Sequence, residues 1–129
     1  MRYLLDVNAL ISFGHTEHQF HERVANWSAS LTGIPQFATS PITELGFVRI
    51  VSQVYGTTIP RAQTLLTDLK EFEGLDFIFL ADDHDASKLP SWVERAKDTT
   101  DGHLAELAKA HGCILATLDE NIPGAFVIP

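Results

Sequence analysis

The chain has 129 residues, 45% of them hydrophobic and 20% charged, a balance that predicts one domain over residues 1–129 with a core of its own. Folding at this length buries roughly two-thirds of the unfolded surface, so neither a disulfide nor a structural metal is required. Nine Lys and Arg against 17 Asp and Glu give a net charge of −8, which argues against nonspecific coating of nucleic acid and favours a cation or a basic partner.

The charge is unevenly spread. Between residues 23 and 67 the bases are Arg23, Arg49 and Arg61 and the only acid is Glu44, so the negative charge lies almost entirely outside that segment. No apolar run approaches the ~18 residues of a membrane span, and Asp6 interrupts the start too early for a signal peptide. A cytoplasmic protein with no membrane contact is expected. The single cysteine, Cys113, excludes an internal disulfide and reads as a buried, inert thiol in the run Cys113-Ile114-Leu115-Ala116.

In chain order, Arg2-Tyr3-Leu4-Leu5-Asp6 is a short β-prone run ending on an acid, followed by a brief helix from Val7 to Phe13. A second helix is expected from about Thr16, with Phe20, Val24, Trp27 and Leu31 as its core face, ended by Gly33-Ile34-Pro35. Gln36 to Thr39 is a second strand. Ser40-Pro41 opens a helix to about Tyr55 that is apolar nearly all round, and is therefore expected to be buried or packed on another chain. Pro60 starts a helix with a stripe of Leu65, Leu66, Leu69 and Phe72, closed by Gly74.

Asp76 to Leu80 is a third strand, and Ala81 to Leu89 an acidic loop. Ser91 to Lys97 is a short helix at most. Thr100-Asp101 begins a clear helix carrying Leu104, Leu107 and Ala108 up to Gly112, followed by a strand from Cys113 to Thr117 and a weak one from Ala125 to Ile128. This alternation predicts an α/β protein, a sandwich around a mostly parallel sheet.

Sites in such sheets form beyond the carboxyl ends of the strands. Asp6 ends the first strand, Asp119 lies two residues past the fourth, Asp101 opens the helix feeding it, and Glu44 lies one turn into the helix after the second. Singly, each has an ordinary explanation. Asp101 and Asp6 suit helix starts, Asp119 suits a loop, and Glu44 would be matched by Arg49 or by an exposed stripe. Together they point elsewhere, because carboxylates meeting in one cleft repel by about 4 kcal/mol per ionised pair at 4 Å and an effective dielectric of 20. Such a group needs protons or a cation, and oxygen donors without zinc-spaced Cys or His select Mg²⁺ or Mn²⁺. A hard divalent ion on an open cleft is suited to activating water against a phosphodiester.

The segments Asp6-Val7-Asn8-Ala9-Leu10, Pro41-Ile42-Thr43-Glu44-Leu45-Gly46-Phe47-Val48-Arg49, Thr100-Asp101-Gly102-His103-Leu104-Ala105 and Ala116-Thr117-Leu118-Asp119 resemble the ordered motifs of PIN-domain nucleases. More closely, the chain is similar to the VapC-type endoribonuclease toxins of toxin-antitoxin pairs. The resemblance implies a three-layer α/β/α sandwich holding Mg²⁺ or Mn²⁺ on Asp6, Glu44, Asp101 and Asp119. It also implies that Asn8 supports the ligands, that the Thr117 hydroxyl lies near metal or substrate, and that Arg49 helps position the substrate. The implied activity is hydrolysis of RNA by metal-activated water. The implied partners are a second copy of the chain, packed through the apolar helices, and a VapB-type antitoxin that sets a tail against the acidic cleft.

Other readings meet specific obstacles. A haloacid dehalogenase-type phosphatase needs an acid where Asn8 stands, a receiver domain needs a lysine near its last strand, and no glycine-rich phosphate loop is present. The remaining alternatives are a PIN-fold binding module without turnover and a DNA-directed nuclease. Outside the four acids, His15, His18 and His21 recur every third residue, as a polar helix flank or a zinc site, and Asp82, Asp83, His84 and Asp85 follow the third strand as a solvated loop or a border of the cleft. Gly46, inside its helix, is expected to permit close helix packing.

Overall fold

The computed structural model describes residues 1–129. Five strands, β1 (Arg2–Leu5), β2 (Gln36–Thr39), β3 (Asp76–Phe79), β4 (Ile114–Thr117) and β5 (Phe126–Val127), form one sheet in the order β3-β2-β1-β4-β5. Every pairing is parallel. All five strands therefore point their carboxyl ends to one edge. The chain steps outward from β1 to β2 to β3 and then returns to the other side of β1 for β4, so the order reverses between β1 and β4. Such a reversal opens a crevice at the carboxyl ends of the two strands.

Helices α1 (Val7–Gly14), α2 (His21–Ser30), α3 (Pro41–Tyr55) and α4 (Ile59–Lys70) cover one face, and α5 (Thr99–Ala110) covers the other. The larger core joins Leu10, Phe13, Val24, Trp27, Phe47, Val51 and Leu66 to Leu5 and Phe37 of the sheet. The smaller core joins Leu104, Leu107 and Ala108 of α5 to Leu4, Ala38 and Leu115. Adjacent residues Leu4 and Leu5 thus face opposite layers, as the two-residue period of a strand buried on both sides requires. Each fully buried leucine contributes about 1.5–3 kcal/mol relative to exposure.

Local chemistry sets the helix ends. The Ser40 hydroxyl accepts from the Thr43 N–H while the Thr43 hydroxyl accepts from the Ser40 N–H, with Pro41 at the first helical position. Gly56 ends α3 at φ 65°, a left-handed conformation that favours glycine. Gly46 is pressed against α1: an added Cβ would stand 2.8 Å from Cγ2 of Val7. The expectation of close helix packing at this glycine holds.

Three expectations need correction. The second helix begins at His21, because residues 16–20 make turns closed by the His18 N–H to His15 C=O and His21 N–H to His18 C=O bonds; Phe20 becomes a partly buried flanking residue beneath Arg23. Within this one chain α3 leaves Leu45 70% exposed and Val54 exposed as well, which is the second of the two expectations for this helix rather than a departure from it. Phe72 falls beyond the end of α4 and is exposed. Cys113 is half-buried, since β4 begins one residue after it. No helix is long and apolar enough to cross a membrane.

Candidate metal-dependent active site

The crevice between β1 and β4 is a cleft of about 290 Å³ lined by Asp6, Val7, Asn8, Ile11, Ile50, Thr100, Asp101, Thr117 and Asp119. Three of the four acids singled out in the sequence line it, with Asn8 and Thr117 beside them. Asp6 follows β1 and caps α1, its Oδ1 accepting from the Ala9 N–H at 2.8 Å. Its Oδ2 accepts from the Thr117 hydroxyl at 2.5 Å, and that hydroxyl accepts from the Asp119 N–H at 3.0 Å. Thr117, fully buried at the end of β4, thereby fixes the two aspartates against each other across the strand reversal. Asp119 remains exposed, its Oδ1 accepting from the Asn121 N–H at 2.8 Å.

Asp101 comes from the opposite layer. It is the third residue of α5, in the first turn, where the helix dipole tolerates an anion. Burial first, then the charges of Asp6, Asp119 and Asp98, push its carboxyl up to about 6. No positive group pulls it back. The Asp6 carboxyl is also raised, chiefly by burial and further by Asp119, against the opposing hydrogen bonds from Thr117 and Ala9.

Glu44 is not among the cleft-lining residues. Its Oε2 accepts from the Thr39 hydroxyl and from Lys70 Nζ, both at 2.6 Å. The partner expected in Arg49 is instead Lys70, which sits in the last turn of α4 and has no sequence proximity to betray it. Arg49 is exposed and lines a separate groove between α3 and α4 with Leu45, Val48, Ile59 and Phe79. Ala38 pairs with Leu4, so Thr39 ends the strand next to β1, while Glu44 itself lines the α3–α4 groove with Arg49 and Phe79.

The two histidine groups are absorbed locally. His18 Nδ1 accepts from the Phe20 N–H, His15 Nδ1 accepts from the Glu17 N–H, and His21 Nδ1 donates to the Ser12 carbonyl. These bonds hold the α1–α2 connection. Asp82 does not border the cleft; it bonds His103 Nε2 at 2.5 Å and accepts from the His84 N–H, tying the segment after β3 to α5. Its carboxyl is opposed by burial yet held below the usual range by His103 and His84.

No three Asp, Glu, His or Cys side chains close around a common point. The donors facing the cleft are all oxygen, their mutual repulsion is uncompensated, and the cleft is open. That set fits a hard cation retaining several waters and gripped by one or two carboxylates, the habit of Mg²⁺, rather than a closed cage of the zinc type.

Comparison with known proteins agrees with this architecture. The PIN domain family matches residues 3–125. Ribonuclease VapC38 of Mycobacterium tuberculosis is 34% identical, over 92% of this chain and 86% of its own. Ribonuclease VapC44 of the same species is 35% identical, over 97% of this chain and 94% of its own. The crystal structure of Mycobacterium tuberculosis VapC20, a Sarcin-Ricin loop cleaving toxin, superposes with a TM-score of 0.70 at 14% identity, covering 98% of this chain and 99% of that one. The structure of VapBC2 from Rickettsia felis bound to a promoter DNA fragment gives 0.65 at 19% identity, covering 98% and 97%. By sequence over nearly its full length, the chain belongs to the PIN-domain family and, within it, to the VapC ribonucleases.

Proposed function

We propose that this protein is a divalent-metal-dependent endoribonuclease, the toxin of a toxin-antitoxin pair, with Asp6, Asp101 and Asp119 as the metal-binding carboxylates and Glu44 joining them through water. The observation that carries the reading is the meeting of Asp6, Asp101 and Asp119 from three separate segments in one open cleft with no protein cation beside them, and the raised Asp101 carboxyl agrees with it. A bound Mg²⁺ or Mn²⁺ would neutralise that charge and supply an activated water for attack on an RNA phosphodiester.

The chain's own residues do the rest. The Thr117 hydroxyl holds Asp6 in one orientation and, through the Asp119 N–H, sets the start of the loop that carries Asp119. Asn8 at the cleft lip is the amide that meets substrate or supports a ligand, and Arg49, at the rim of the groove beside α3, is the candidate phosphate contact. Exposed Leu45, Ile59 and Phe79 along the α3–α4 groove form the apolar surface on which we place the contact with a second copy. The net charge of −8 suits a VapB-type antitoxin with a basic tail in the cleft. We place the protein in the cytoplasm.

The test is cleavage of labelled structured RNA by the purified chain in Mn²⁺ or Mg²⁺, with an EDTA control and Asp101→Asn alongside. Asp101 makes no side-chain hydrogen bond within the chain, so its variant is expected to fold and to lose cutting. Cutting that survives both EDTA and Asp101→Asn would refute the assignment, as would cutting confined to DNA.

A further inference from the structure

Of the acids at the carboxyl edge of the sheet, one is treated differently from the rest. Asp6, Asp101 and Asp119 line the cleft and form no salt bridge, whereas the Glu44 carboxylate already has a cation. Lys70 Nζ lies 2.6 Å from its Oε2, with both side chains partly shielded from water. The ammonium is held from two sides, since it also lies 5.7 Å from the centre of the Phe79 ring at the end of β3. The same Oε2 accepts from the buried Thr39 hydroxyl. A carboxylate anchored by two donors on one oxygen has a defined resting place, here between Lys70 of α4 and Thr39 at the end of β2, the strand paired with β1.

We propose that Lys70 is a positioning residue that competes with the divalent cation for Glu44. The inference rests on the metal-binding reading above and extends it. With the cleft free of metal, Lys70 neutralises Glu44 and keeps a fourth negative charge from adding to the three aspartates. Turning Glu44 toward a cation in the cleft draws its Oε2 away from Lys70, so Lys70 weakens metal binding and sets the metal concentration at which the site fills. A charge-assisted bond of this length between partly shielded groups is among the stronger polar contacts of a protein surface. Its cost therefore enters the apparent metal affinity through Glu44.

The experiment is Mn²⁺ titration by isothermal calorimetry, without RNA, of the full chain, Lys70→Met, Glu44→Gln and the double variant, with Lys70→Arg as the charge-retaining control. Lys70→Met is expected to bind Mn²⁺ about tenfold more tightly than the unsubstituted chain, Lys70→Arg to stay close to it, and the gain from Lys70→Met to be lost in the Glu44→Gln background. Circular dichroism of the metal-free proteins checks that each is folded. If Lys70→Met binds no more tightly, or gains equally without Glu44, the inference is overturned while the metal site stands. If none of the proteins binds Mn²⁺, the metal-binding reading itself falls.

Discussion

Replacing Asp101 with asparagine removes the charge that the cleft accommodates least well, and it should make the metal-free protein more stable while abolishing cleavage. The Asp101 carboxyl is moved from an ordinary 3.8 to about 6 by burial, then by Asp6, Asp119 and Asp98. A displacement of that size corresponds to about 3 kcal/mol between the neutral and charged forms. The group is half-buried and water screens it, so about 1–2 kcal/mol is the expected share. The sign follows from linkage: the folded state prefers the protonated acid, so stability is fully present below pH 3.8 and is lost as pH rises through about 6.

Urea unfolding in EDTA, from pH 4.5 to 7.5, reads this directly. Asp101→Asn should exceed the unsubstituted chain by about 1–2 kcal/mol at pH 7.5, or about 3–8 °C in melting temperature, with the gap closing toward pH 4.5. Comparing the two chains cancels the opposite contribution of His18. Its proton affinity is lowered by burial first and then by His15 and His21, so its share of stability is present above pH 6.5 and fades as pH falls. With saturating Mn²⁺ the order should reverse, because the unsubstituted chain gains binding energy that the variant lacks. A gap that is absent at pH 7.5, or flat with pH, would refute the claim that Asp101 is held against uncompensated charge.

Two further substitutions probe how the site is built. Thr117→Val deprives buried Asp6 of its 2.5 Å donor and the Asp119 N–H of its acceptor; it should cost about 2–3 kcal/mol in urea unfolding and impair cleavage, while Thr117→Ser retains most of both. Equal loss in the two variants would make the methyl group, not the hydroxyl, the important part. Gly102→Ala would set a Cβ 2.3 Å from Val93 Cγ2 and 3.2 Å from Pro90 Cδ, so overpacking of about 1–3 kcal/mol should outweigh the roughly 1 kcal/mol gained in helix propensity. Val93→Ala in the same chain should restore stability, and a double variant no more stable than Gly102→Ala would place the strain elsewhere.

The parallel fold was legible because its determinants are local. Ser40-Pro41 and Pro60 announce helix starts by what their side chains and rings do to the next few backbone groups. The start of α2 was misplaced by the same local reasoning. Periodicity placed Phe20 on the face with Val24 and Trp27, but it carries no information on whether the chain ahead of it prefers turns tied by imidazoles to helix. The exposed side of α3 was a different problem. An all-round apolar helix demands cover, yet composition does not distinguish cover by the same chain from cover by another.

The site was legible to the extent that topology converts sequence order into space. Asp6 and Asp119 follow β1 and β4, and once β4 returns to the side of β1 opposite β2, their meeting is fixed by strand adjacency alone. Thr117 follows from the same adjacency. Asp101 arrives from the far layer, and its place is set by the helix that must cross back to feed β4. The partner of Glu44 follows from no such rule, because Lys70 reaches it across the α3–α4 interface from 26 positions further along the chain. Asp82 and His103 pair in the same way, across 21 residues and between segments whose loop path no periodicity encodes. Acids on strand ends can thus be assembled from order and topology, whereas the cations and imidazoles that answer acids elsewhere are supplied by packing. The consequence at this cleft is chemical: the three aspartates that topology brings together are the ones that packing leaves without a cation.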